Sequence, residues 1–176
     1  MQSTLLSVPR RARVMLVAML SSIAPACAAD RVAVFPFELF DTSQEDDFLP
    51  KIRPDETKRL ETLTQDLKDR LIDSKKYEVV SLDSLSAEIA AAAPLFKCNG
   101  CDADLVKKTG ADVAMLGLVQ KFSDTLLSVN IEIVDAKTGT VTARYTAAVQ
   151  GNTDEAWIRA ERYIVKNKLG AQGSAP

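Results

Sequence analysis

The chain has 176 residues, 47% of them hydrophobic, with 22 basic and 24 acidic side chains and no histidine. A net charge of −2 gives no basic surface for nucleic acid. The missing histidine removes the residue most used as general base, zinc ligand or haem ligand.

The amino terminus reads as an export leader over residues 1–28. Arg10, Arg11 and Arg13 form a positive start, and Val14 to Ala24 is apolar but too short to span a bilayer. Ala26-Cys27-Ala28 has the small-x-small pattern of a signal-peptidase site, which predicts cleavage between Ala28 and Ala29. Cys27 lacks the large aliphatic residue that a lipidation site carries three positions earlier, so a lipoprotein is not expected. Cleavage leaves 148 residues with 19 basic and 24 acidic side chains, the size of one domain with a real core, in an oxidising compartment such as the periplasm.

Arg31 to Leu39 is a near-continuous apolar run, the pattern of a strand covered on both faces, with Pro36 marking an edge or a bulge. An acidic stretch, Asp41 to Asp47, follows. Pro54 with Asp55 and Glu56 opens a helix whose Leu60, Leu63, Leu67 and Leu71 repeat at three and four. Tyr77 to Val80 is the next strand. A second helix starts near Ser81–Asp83, buries Leu82, Leu85 and Ile89, and stops at Pro94. After Cys98-Asn-Gly-Cys101 comes a short helix with Asp102 as its cap and Gly110 as its end.

Val113 to Val119 reads as a central strand. Leu127, Val129, Ile131 and Ile133 then alternate with polar residues, as do Val141, Ala143, Tyr145, Ala147 and Val149, so the three strands form an antiparallel meander. The last helix begins at Asn152-Thr-Asp-Glu155, with Asn152 as cap and Trp157, Ala160 and Ile164 as the buried stripe. The order β-α-β-α-α-β-β-β-α predicts one α/β domain over residues 29–170, a mixed sheet of about five strands with helices packed on it. Residues 171–176 read as a flexible tail.

Val32-Ala-Val-Phe-Pro-Phe37, the long helix after it and Tyr77-Glu-Val-Val80 resemble the opening of the TolB amino-terminal domain and of the CsgG-like families. Gly110-Ala-Asp-Val-Ala-Met-Leu-Gly-Leu-Val119 and Asp135-Ala-Lys-Thr-Gly139 fit the same families. Cys98-Asn-Gly-Cys101 and Gly151-Asn-Thr-Asp-Glu-Ala-Trp157 are similar to a secreted bacterial family of unknown function. That resemblance implies a fold and a compartment, and a link to periplasmic quinoprotein alcohol oxidation systems. It implies no reaction.

Cys98 and Cys101 allow a structural disulfide or a redox dithiol. Haem attachment fails because Asp102 follows Cys101, and zinc would need two further ligands. Asp41, Glu45, Asp46 and Asp47 lack the glycine and distal glutamate of a calcium loop. No nucleophile motif, phosphate loop or dinucleotide pattern is present, so no catalytic residue, metal or cofactor is expected. Asn152, Asp154 and Trp157 are the candidates for a recognition surface, against a reading as cap and core. The expectation is a non-catalytic accessory protein contacting another envelope protein, with a thiol-redox accessory as the alternative.

Overall fold

The computed structural model describes residues 29–43, 52–98 and 100–169. The leader through Ala28 with Cys27, the acids Glu45, Asp46 and Asp47, and the tail 171–176 lie outside the described residues.

The run Arg31–Leu39 forms two strands, not one: β1 (Asp30–Val34) and β2 (Glu38–Asp41). Pro36 has no N–H for a ladder, and Phe37 N instead donates to Thr64 Oγ1 at 2.9 Å. Thr64 lies on α1 (Pro54–Asp73), whose first turn is closed by Arg53 N donating to Glu56 Oε2 at 3.1 Å. The four leucines of α1 are buried as their spacing requires. β3 (Tyr77–Val80) follows.

The second helix is shorter than its apolar spacing suggested. A tight turn at Asp83–Leu85 leads into α2 (Ser86–Ala92), and another at Leu95–Lys97 leads towards α3 (Cys101–Lys108). Gly100, at φ 92°, holds the cap position of α3 that the sequence suggested for Asp102, which lies in the first turn. β4 (Val113–Lys121), β5 (Leu126–Asp135) and β6 (Thr140–Gln150) make the meander. In α4 (Asp154–Ile164) the cap is Thr153, whose Oγ1 accepts from Ala156 N at 3.2 Å, and not Asn152.

The sheet runs β3-β1-β4-β5-β6, with β2 beside β4 beyond the end of β1. β1 is parallel to β3 and β4, β2 is parallel to β4, and the meander is antiparallel. It is the expected mixed α/β sheet, with six strands because the first run is split. Alternate residues of β1, continued by Phe35 just after it, serve two cores. Val32 and Val34 pack with α1 and α4, whereas Ala33 and Phe35 pack with α2 and α3. Gly117 lies opposite the break in the first run, where a Cβ would run into the Phe37 ring.

Candidate partner-binding site

β3 pairs with β1 through Ala33 and stops at Val80, while β1 and β2 continue along β4. A cleft of about 700 Å³ opens there, outside the carboxyl ends of two parallel strands, the usual ligand position in open α/β sheets. Val34, Phe37, Val79 and Ile89 line it between α1 and α2, and Lys68 and Asp83 lie among its polar residues. Ile72 also lines it and is 54% exposed.

Pro36, Glu38 and Leu95 are shared with a second groove of about 550 Å³. The Glu38 carboxylate fixes that boundary by accepting from Leu95 N at 2.7 Å and Phe96 N at 3.2 Å. Phe96 meets Phe40 with ring centroids 5.2 Å apart, and the Lys97 ammonium lies 5.6 Å from the Phe96 centroid. Cys98 lines this second groove and is bridged to Cys101. Both cysteines are half-buried and pack against the core formed with α2 and α3. The bridge closes the turn between Leu95–Lys97 and α3.

Of the residues singled out for recognition, Trp157 and Asn152 are drawn inward, while Asp154 stays exposed and is held by an ion pair. Trp157 is fully buried in the core, under the Arg59 guanidinium at 5.8 Å, and contributes no surface. Asn152 donates to Glu56 Oε1 at 2.8 Å and accepts from Arg59 at 3.2 Å, while Asp154 accepts from Arg59 Nε at 2.6 Å. These bonds fasten the start of α4 to α1. Asp41 is tied down as well: its carboxylate lies 3.2 Å from Lys121 Nζ.

Lys121 was not singled out in the sequence, and it is the hub of this end of the molecule. It is 2% exposed, and its ammonium also meets Glu56 at 3.0 Å and Asp124 at 3.1 Å. Burial works against its charge, but bonds to Glu56, Asp124 and Asp41 outweigh it and raise its pKa. Glu56 is lowered in turn: burial opposes ionisation, and Asn152 and Lys121 overcome it. A lysine so firmly protonated is no general base; it pins β2, β4 and α1 together. The available signal was parity, since Lys121 falls on the same side of β4 as the buried Met115 and Val119.

A second buried charge site joins α1 to α4. Glu161 is fully buried, and neither of its oxygens receives a bond from an N–H or hydroxyl donor. Burial first, and then the neighbouring Asp66, push its pKa up to about 8. Asp66 goes the other way: burial opposes its charge, but Arg162 at 3.0 Å, Arg70 at 2.6 Å and the proton of Glu161 hold it well below the carboxylate range. With Asp66 held ionised and Glu161 pushed up, a shared proton falls to Glu161.

Among the described residues, no group of three or more histidines, cysteines or acids could hold a metal ion. No helix among them is long and apolar enough to cross a membrane.

The fold is similar to that of a solved hypothetical protein, and weaker likenesses to two other solved structures accompany it. The hypothetical protein CT253 from Chlamydia trachomatis is 14% identical over 80% of this chain and 96% of its own, with a TM-score of 0.50. The LpoB C-terminal domain from Salmonella enterica is 15% identical over 72% of this chain and 86% of its own, at a TM-score of 0.48. The likeness to TolB from Acinetobacter baumannii is more distant, 11% identical over 78% of this chain and 26% of TolB, at 0.43. No curated protein matches the sequence. A family model described as a protein of unknown function (DUF2380) matches residues 30–169, and this chain belongs to that family, DUF3280.

Proposed function

We propose that this protein is an exported, non-catalytic accessory module that seats an apolar segment of another cell-envelope protein in the cleft between α1 and α2. The observation that carries this reading is the cleft itself, about 700 Å³ and apolar in its depth, with the half-exposed Ile72 among its lining residues. The leader supports a periplasmic location, and the weak lipidation pattern at Cys27 supports a chain released from the membrane. Asn152 and Asp154 fasten α4 to α1 in this reading, and recognition belongs to the opposite side of α1.

Photocrosslinking in the native host tests it. A benzophenone amino acid at Lys68 or Ser86, both lining the cleft, gives one defined adduct. The same probe at the exposed Lys137, in the β5–β6 turn, gives none. An Ile72→Glu background removes the adduct. Equal adducts from all three positions, or none from the cleft, refute the proposal.

Thiol exchange through Cys98 and Cys101 is the alternative, and the half-buried packing of both residues favours a staple instead. Redox titration separates the two, with a midpoint below about −300 mV expected for a staple and one near −120 to −200 mV for an exchanging pair.

A further inference from the structure

The two edges of the sheet are protected very differently. β3 is four residues long, has a charged residue, Glu78, within it and is preceded by Lys75 and Lys76, so it offers little to an incoming strand. β6 is eleven residues long, and no strand among the described residues pairs with its outer side. From Tyr145 to Gln150 it has no charge, no proline and no glycine. Those are the devices by which edge strands are kept from pairing.

The direction of its backbone groups follows from one bond. Gly151 N donates to Thr125 O at 3.0 Å, so the N–H of Gly151 points towards β5. Alternate residues of an antiparallel strand share a direction. Val149, Ala147 and Tyr145 therefore point inward with Gly151. Gln150, Ala148, Thr146 and Arg144 point their N–H and C=O groups outward. The register shift between Ile133 and Val134 ends this regular stretch beyond Ala143.

We infer that β6 is the interface of a two-fold homodimer, pairing antiparallel with β6 of a second copy about an axis at Ala147. That register alone matches all four outward residues with one another, Arg144 opposite Gln150 and Thr146 opposite Ala148. It also keeps the two Arg144 side chains apart. A register centred on Arg144 would place like charges face to face.

The helix layer fits the same occupant. A groove of about 510 Å³ runs between the outer part of β6 and α4, lined by Thr146, Ala148, Ala156, Arg159, Ala160 and Tyr163. Tyr163 is 54% exposed, and the two-fold brings α4 of the second copy towards it. Seven residues of overlap make a seam of about 24 Å, which with the flanking helix covers roughly 1,000 Å² in all. That is the small end of stable interfaces, so association in the micromolar range is expected. The seam lies at the opposite edge of the sheet from β3 and the cleft, and the two readings stand or fall separately.

Sedimentation equilibrium of the chain from Ala29 onward, which carries every described element, tests the inference. The wild-type chain is expected to be a dimer at about 100 µM. Ala148→Pro removes an outward N–H, and Ala148→Lys sets the new lysine diagonal to Arg144 of the second copy. Each should weaken the dimer at least about tenfold while the far-ultraviolet spectrum is unchanged. Oxidation of Ala147→Cys should link the two copies across the axis, and that of Ala143→Cys should not. A wild-type monomer at that concentration, a dimer that both Ala148 variants leave intact, or equal crosslinking at Ala143 overturns the inference.

Discussion

Replacing Glu161 by glutamine should stabilise the protein at alkaline pH and leave it nearly unchanged at acidic pH. In the folded chain this carboxyl titrates at about 8, against an ordinary value of 4.5, so between those values the folded state binds the extra proton. Stability from this group is therefore complete below about pH 4.5 and is lost as pH rises through about 8. Each unit of difference is worth about 1.4 kcal/mol, which gives a total swing of at most about 5 kcal/mol across the window. Asp66 does not blunt the slope, because its depressed pKa keeps it ionised throughout; its contribution is lost only as pH falls below the carboxylate range. An amide at position 161 can still donate to Asp66 and has no charge to bury. Urea unfolding from pH 5 to pH 9 can be followed by Trp157, the single tryptophan, buried one turn before Glu161. The wild type should lose stability steadily, and the variant should show a flat profile and exceed the wild type by a few kcal/mol at pH 9. Parallel profiles, or a variant weaker than the wild type at pH 9, refute the assignment of the proton.

Lys121→Met should cost about 3–5 kcal/mol in urea unfolding, because Glu56 and Asp41 lose their shared cation while still buried. Adding Glu56→Gln to it should recover part of that loss. Gly117→Ala should cost about 1–3 kcal/mol from the collision with Phe37, and combining it with Phe37→Leu should reduce the penalty; additive effects would disprove the contact. The double variant Cys98→Ser with Cys101→Ser should lose no more than about 2 kcal/mol and keep its circular dichroism spectrum, because the bridge closes a turn of sequence separation 3. Complete unfolding would show that the bridge supports the whole second core.

The parts of the fold written in local periodicity were readable from the sequence. The leucines of α1 fixed its buried face, and alternation from Leu127 to Val149 gave the meander and its inward residues, except Val141, which lies beyond the register shift and is exposed. Pro36 announced an interruption, but whether it marked an edge, a bulge or a break depended on Gly117, eighty-one positions away. Caps were misread because Asp102 and Asn152 are good cappers in isolation. Gly100 could take a left-handed conformation, and Asn152 was claimed by Glu56 and Arg59 on another helix. The cleft was invisible for the same reason, since it exists because β3 ends before β1 and β2 do. Glu161 looked like one more acid on an amphipathic helix, and only the approach of α1 makes it a buried proton carrier.

The placement of β1 also governs when the chain can fold. Val32 takes its neighbours from Val79 on one side and Val113 on the other, so the central strand is incomplete until more than eighty further residues exist. The Lys121 hub adds the same delay, since it joins Asp41 and Glu56 to a residue near the end of β4. Pairings this distant in sequence form slowly and late. The emerging amino-terminal half therefore has helices to form but no finished sheet to dock them on. A nascent chain built this way stays open through most of its synthesis, and it locks only after the meander has arrived.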